Sequence, residues 1–298
     1  MTAREGQTYA GRSATARYAS LVKLPHTLFA LPFALVGVVL ASRKAPVTLE
    51  AVLWVAIAFG AARFAAMGFN RIADRDVDAL NPRTASREIP SGAISVRAAG
   101  VAVTVASLLF FVAAWQLNPL CLALSPIALA WVLGYSFTKR FTRYAHVWLG
   151  LGLGIAPAGG YLAITGSWSE PWWALPALSA AVMSWVAGFD IFYALQDVAF
   201  DREHGLHSIP AALGERGAIV VARVLHTVTV LALAAVGIGI GGGAWYAAGV
   251  AVVAGLLIYE HSLVRPHDLS RLNAAFFTMN GVISIVFLTF VLAERLLT

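Results

Sequence analysis

Apolar runs of about 20 residues recur along the whole of this 298-residue chain, and they constrain its fold more than any other feature. Wound as a helix, a run of that length matches the hydrocarbon thickness of a bilayer. Inside lipid every backbone N–H and C=O needs an internal partner, so only helices or closed barrels can span. The short alternating segments of barrel strands are missing. The chain is 59% hydrophobic and 12% charged, about half the charged fraction of a soluble domain. An all-α, polytopic membrane protein is therefore expected. The single cysteine, Cys121, excludes an internal disulfide framework and a thiolate metal cage.

Hydropathy divides the chain into nine expected spans, at about 21–41, 48–73, 96–115, 119–137, 145–165, 172–196, 217–240, 244–263 and 273–293. Residues 1–20 read as a basic N-terminal arm, and 21–298 as one transmembrane domain with two related halves, about 21–140 and 141–298. Seventeen of the 21 lysines and arginines fall in the arm and the even-numbered loops with their flanks. Arg43, Lys44 and Arg295 lie on the other side, and Arg63 lies inside the second span. The positive-inside rule then puts the N-terminus and the even loops in the cytoplasm. The net charge of +6 thus reflects topology and not nucleic-acid affinity.

Carboxylates are as unevenly placed as cations. In "NRIADRDVDALNPRTASREIPSG" (70–92), Asn70, Asp74 and Asp78 follow one another at four-residue steps. On a helix such steps drift only about 40°, so all three share one face and rise about 6 Å each. In "DIFYALQDVAFDREHGLHSIP" (190–210), Asp190, Asp197 and Asp201 share a face in the same way. Two helix ends thus present acid stripes at one membrane surface. Uncompensated, the acids would raise one another's pKa and oppose packing. Carboxylate and amide oxygens suit Mg²⁺, which completes its shell with water and phosphate. Pairing with the arginines of the same segments is the alternative. Between the stripes, Tyr135-x3-Lys139 ends the fourth span on the same side, where Lys139 reads either as an ordinary positive-inside anchor or as a contact for diphosphate oxygens.

These three motifs resemble those of the UbiA superfamily of intramembrane aromatic prenyltransferases. The family pattern runs N-D-x-x-D-R-x-x-D, then Y-x-x-x-K, then D-x-x-Y-A-x-x-D-x-x-x-D. Here it meets "NRIADRDVD", "YSFTK" and "DIFYALQDVAFD". Arg71 stands where the family often has aspartate. Within the superfamily the chain looks most like 4-hydroxybenzoate polyprenyltransferases, especially a bacterial subgroup that includes prenyltransferases of the futalosine menaquinone route.

The resemblance implies a nine-helix UbiA-type bundle in the cytoplasmic (inner) membrane, with its site facing the cytoplasm. It implies Mg²⁺-dependent transfer of a polyprenyl group from polyprenyl diphosphate to an aromatic acid. That acid is 4-hydroxybenzoate, or alternatively 1,4-dihydroxy-6-naphthoate. Asn70, Asp74 and Asp78 would hold one ion, and Asp197 and Asp201 a second, with Asp190 in support. Lys139, Tyr135 and Arg75 become diphosphate contacts. Arg63, one face-repeat deeper than Asn70, is a candidate for the acceptor carboxylate, with Lys23, His26 and Tyr193 as further candidates. Loop 79–95, carrying Arg83 and Arg87, and the segment "DREHGLHS" are expected to act as lids. An ion-coupled transporter is the rival class; its acids would lie near the midplane and not at helix ends.

Overall fold

The computed structural model describes residues 13–266, 268–272 and 274–298, except for the side chains of residues 24–29, 274 and 277. Among the described residues there is no β-strand beyond an isolated bridge between Arg265 and Asp268. The long helices are α2 (Leu24–Ala41), α3 (Leu49–Ala73), α5 (Val96–Leu117), α6 (Pro119–Thr138), α7 (Ala145–Thr165), α8 (Ala174–Ala194), α10 (Ile209–Ile240), α11 (Ala244–Leu263) and α12 (Asn280–Leu297). Three short helices accompany them: α1 (Ala14–Leu21), α4 (Arg75–Leu80) and α9 (Val198–Glu203). Eight of the described helices are long and apolar enough to cross a membrane, and the described apolar part of α2 is Ala30–Ala41.

Side-chain caps start the spans where a backbone donor would otherwise be orphaned. Thr48, Ser95, Asn118 and Ser208 accept from the N–H groups of Ala51, Ala98, Cys121 and Ala211. Pro119 directly follows its cap and Pro210 stands one residue further on, both in the first turn, where no N–H is needed. That placement explains why α10 begins at Ile209 and not near 217. Its first turn is capped by Ser208, and Gly214 (φ 70, ψ 176) then bends the chain into the long span. The last span, by contrast, starts later than expected, because a π-helical turn occupies Ala274–Met279. The described part of the N-terminal arm forms α1, from which Ser20 donates to Glu88 at the site end.

The core centres on α8, whose Trp185, Val186, Ile191 and Phe192 are fully or almost fully buried. It packs against α7 and α10. Close crossing depends on small residues, because lipid provides no hydrophobic force between helices. A Cβ at Gly150 would collide with the Met183 carbonyl, and one at Gly160 with the Ala34 carbonyl. These glycines seat α7 on α8 and α2. Trp131 of α6 and Trp148 of α7 stack 4.1 Å apart, and each indole N–H donates to the other's backbone carbonyl at 3.0–3.1 Å.

At the end of the bundle away from the acidic motifs, Glu294 accepts from the N–H groups of Gly243 (2.7 Å) and Tyr246 (3.2 Å) at the start of α11. Arg43 reaches both Glu294 (3.4 Å) and the Ile240 carbonyl (2.9 Å), while Arg295 donates to Ser42. The ends of α2, α10, α11 and α12 are thereby tied together.

Gly150→Val is expected to lower the thermal midpoint in detergent, by overpacking worth about 1–3 kcal/mol. Gly100→Ala, where an added Cβ meets nothing within 4 Å, should leave it unchanged or raise it.

Candidate active site

Both acidic stripes run across a break in their helix. α3 stops at Ala73, Asp74 turns the chain (φ −96, ψ 5), and Asp78 sits on the separate α4. α8 stops at Ala194, a 3₁₀ turn follows, Asp197 turns the chain (φ −104, ψ 2), and Asp201 sits on α9. The expectation of one continuous helix face is therefore corrected. The last acid of each motif lies on its own short helix, bent out of line with the span.

The breaks bring the two stripes to opposite walls of one polar pocket of about 150 Å³. Asn70, Asp74, Asp78, Asp190, Asp197, Asp201, Tyr135, Lys139 and Tyr193 all line it. Arg83 and Arg87, the lid-loop arginines, line it too, but each serves as a counter-ion. Arg83 grips Asp197 of the other half with two bonds, at 2.9 and 2.6 Å, and Arg87 binds Asp78 at 2.6 Å. Asn81 also donates to Asp197 (3.2 Å), and Ser208 to Asp201 (2.8 Å). Asn70 donates to Asp74 at 2.8 Å. Asp78 Oδ2 is buried with no hydrogen-bond partner. Among the described residues, no three His, Cys, Asp or Glu side chains are grouped closely enough to hold one ion by themselves.

Electrostatics follow from this crowding. Burial, and then the charge of Asp78, push the Asp74 pKa above the usual carboxylate value. Burial works against the Lys139 ammonium, yet Asp201, Asp190, Asp197 and Asp74 together hold its pKa above the ordinary lysine value. Lys139 is thus a fixed positive charge at the centre of the acids.

Below the polar pocket an apolar cavity of about 440 Å³ extends between α3, α5, α6 and α7. Asn70 and Tyr135 line both spaces and form their junction. Along α3 the cavity wall runs from Asn70 to Val55, about 22 Å of helix. Arg63 lies in this wall, as its seven-residue offset from Asn70 implies.

Other expected site residues are distributed unevenly. Tyr193 stacks on Phe276 and accepts from Arg83 (3.0 Å) and Lys23 (3.4 Å). Lys23 therefore stands behind Tyr193 and does not line the polar pocket. Arg75 is not brought in: it points outward, bonding the Ile72 carbonyl and Asp76. The side chain of His26 lies outside the described residues. His146, which no motif flagged, is fully buried with Nδ1 2.7 Å from Asp190 Oδ2. Those two residues are 44 apart in sequence, so only the packing of α7 on α8 reveals the pair.

The model of the UbiA prenyltransferase family matches residues 30–282. The chain belongs to the UbiA prenyltransferase family. Similar proteins include the 4-hydroxybenzoate octaprenyltransferases of Aromatoleum aromaticum (31% identical, 77% of each chain) and Alkalilimnicola ehrlichii (32%, 76% of each). Among solved structures, the apo UbiA homolog from Aeropyrum pernix K1 is 37% identical, with a TM-score of 0.83 over 91% of this chain and 98% of that one. A UbiA homolog from Archaeoglobus fulgidus, solved with GPP and Mg²⁺, shares the fold at 22% identity and a TM-score of 0.75, over 94% of this chain and 99% of that one. The UbiA-type bundle and the prenyltransferase class are thus established for this membrane enzyme.

Removing one partner of the Arg83–Asp197 pair should strand a buried charge. Arg83→Leu is expected to cost about 3–5 kcal/mol of stability, and Asp197→Asn in the same chain should recover much of the loss. Thermal unfolding of the two variants in detergent checks this.

Proposed function

We propose that this enzyme transfers a polyprenyl group from polyprenyl diphosphate to an aromatic acid, with 4-hydroxybenzoate as acceptor, in quinone biosynthesis. The observation that carries the reading is the junction of a polar, acid-lined pocket with an apolar cavity at Asn70 and Tyr135. A diphosphate ester of an isoprenoid alcohol has the same division: a multiply charged head joined to a tail with no polar atoms. The names of the similar octaprenyltransferases support the acceptor.

Mg²⁺ fits the residues present. The donors are hard carboxylate and amide oxygens, and buried Asp78 Oδ2 has no partner of its own. Asn70, Asp74 and Asp78 would hold one ion, and Asp197 and Asp201 another. With only two carboxylates in each set, the remaining donors would have to come from outside the protein, from the substrate and water. Bound there, Mg²⁺ supplies neutralisation of the charge developing on the leaving diphosphate.

The chain's own groups do the rest. Lys139 offers an ammonium to the same oxygens, and Arg83 and Arg87 are free to exchange a carboxylate for a phosphate partner. Apolar walls from Phe59 to Trp148 exclude water from an allylic cation, and the Tyr135 ring stands at the junction where that cation would form. Arg63, within the apolar wall, is assigned to the acceptor carboxylate, and the Tyr193 hydroxyl, backed by Lys23, offers a second polar contact from the other pocket. The site end faces the cytoplasm in the inner membrane, α2 serves as the first of nine spans, and residues 21–298 act as one domain of two related halves. The cation distribution supports this topology.

Purified protein in detergent, given geranyl diphosphate, Mg²⁺ and a panel of acceptors, tests the proposal. Prenylated 4-hydroxybenzoate should form, disappear with EDTA, and fall at least about a hundredfold in Asp74→Ala. Preference for 1,4-dihydroxy-6-naphthoate would replace the acceptor assignment. No product from any acceptor would overturn the substrate reading. Arg63→Gln should raise the acceptor KM and leave the prenyl-diphosphate KM unchanged; unchanged acceptor kinetics would remove Arg63 from the site.

A further inference from the structure

His146 stands in the first turn of α7, facing α8, with none of its surface exposed. Its Nδ1 is 2.7 Å from Asp190 Oδ2, and its Nε2 is buried without any partner. A carboxylate only accepts, so the bond to it is a donation from Nδ1–H, and Nε2 is left with no partner. Buried polar atoms are ordinarily satisfied, and a side chain kept for packing alone has no need of an orphaned ring nitrogen. The histidine is arranged for its single bond to Asp190.

Asp190 differs from the other acids of the pocket. Asp74 and Asp197 are 123 residues apart, as are Asp78 and Asp201, and both pairs fall at matching helix breaks. The same offset matches Asp190 with Met67, an apolar-cavity residue. Asp190 is therefore an acid without a counterpart in the first half. It lies seven residues before Asp197 within the regular part of α8, about 10 Å deeper. At that depth it lines the pocket beside Tyr135, the residue that joins the polar pocket to the apolar cavity. The C1 carbon of a prenyl diphosphate and the attacked ring would meet at this level.

We propose that His146 is a positioning residue. By donating Nδ1–H to Asp190 Oδ2 it holds that carboxylate with its other oxygen toward the hydroxyl of the aromatic acceptor, not toward a metal ion. Accepting the hydroxyl hydrogen bond orients the ring and raises its electron density at the carbon that attacks. The inference rests on the aromatic-acceptor reading above and assigns Asp190 a role apart from the two metal-holding sets.

Three variants test it. His146→Asn keeps an N–H donor near the Nδ1 position. His146→Gln moves the donor to the Nε2 position, away from Asp190, and His146→Leu removes it. Thermal midpoints and tryptophan fluorescence report whether each variant is folded. His146→Leu and His146→Gln should lose about 10- to 100-fold in kcat/KM for the acceptor. Their KM for geranyl diphosphate should stay within about twofold of wild type, and His146→Asn should recover most of the loss. Equal activity in all variants, or equal loss in His146→Asn and His146→Gln, would overturn the positioning role. A raised prenyl-diphosphate KM together with a raised Mg²⁺ requirement would overturn it in favour of Asp190 as a metal ligand. Wild-type protein inactive on every acceptor would instead bring down the acceptor reading and, with it, this inference.

Discussion

Five carboxylates share one small pocket at the end of a membrane bundle, and their mutual repulsion has to be offset by something within reach. Much of the local structure serves that requirement. Four cations, Arg83, Arg87, Lys139 and Arg140, line the same pocket. Arg83 crosses from the first half of the chain to Asp197 in the second, and Arg87 holds Asp78 within the first. The loop between α4 and α5 is fixed over the pocket by those bonds and by the Thr84 hydroxyl on the Asp78 carbonyl. Lys139, ringed by acids, stays charged where burial alone would disfavour it. Pocket acids paired to arginines, with the Asp78 Oδ2 left unpartnered, match the multiply charged, cation-bearing ligand proposed above.

The two rooms of the site divide the chemistry by solvent. Charge is handled in the polar pocket, near the bundle end, and among the described residues the apolar cavity below carries one cation, Arg63. Asn70 and Tyr135 are common to both, so a bound molecule crossing the junction changes environment within a single helical turn. The Trp131–Trp148 stack stiffens the α6–α7 side of that cavity, while close glycine crossings hold α7 to the buried α8.

Much of this was legible in the sequence, for particular physical reasons. Apolar run length located eight spans, most of them to within a few residues, because lipid forbids alternatives to a continuous helix, but it missed the capped first turn of α10 and the π-helical turn before α12. Motif order and helical phase placed the acids, Tyr135 and Lys139 at one end, and the structure gathers them there. The breaks at Asp74 and Asp197 were not legible, since neither residue is a glycine or proline and both sit in helix-like sequence. Partners distant in the chain were also hidden: Arg83 with Asp197, and His146 with Asp190. Arg75 shows the opposite error. Its place in a motif suggested a ligand contact, but helix phase at the break turns it outward to Asp76.

Glu294 and its arginine partners give the bundle a mechanical polarity. One carboxylate caps α11, receives Arg43 and lies beside Arg295, so the far ends of α2, α10, α11 and α12 are stitched at a single point. At the opposite end the helices are segmented, with α4 and α9 each six residues long, α4 joined to its span by Asp74 alone and α9 by the 3₁₀ turn Leu195–Asp197. The bundle is thus cross-tied at the end remote from the chemistry, while at the site end the acids ride on short segments whose direction is set by local turns and by the arginine bonds across the pocket, not by the course of the spans.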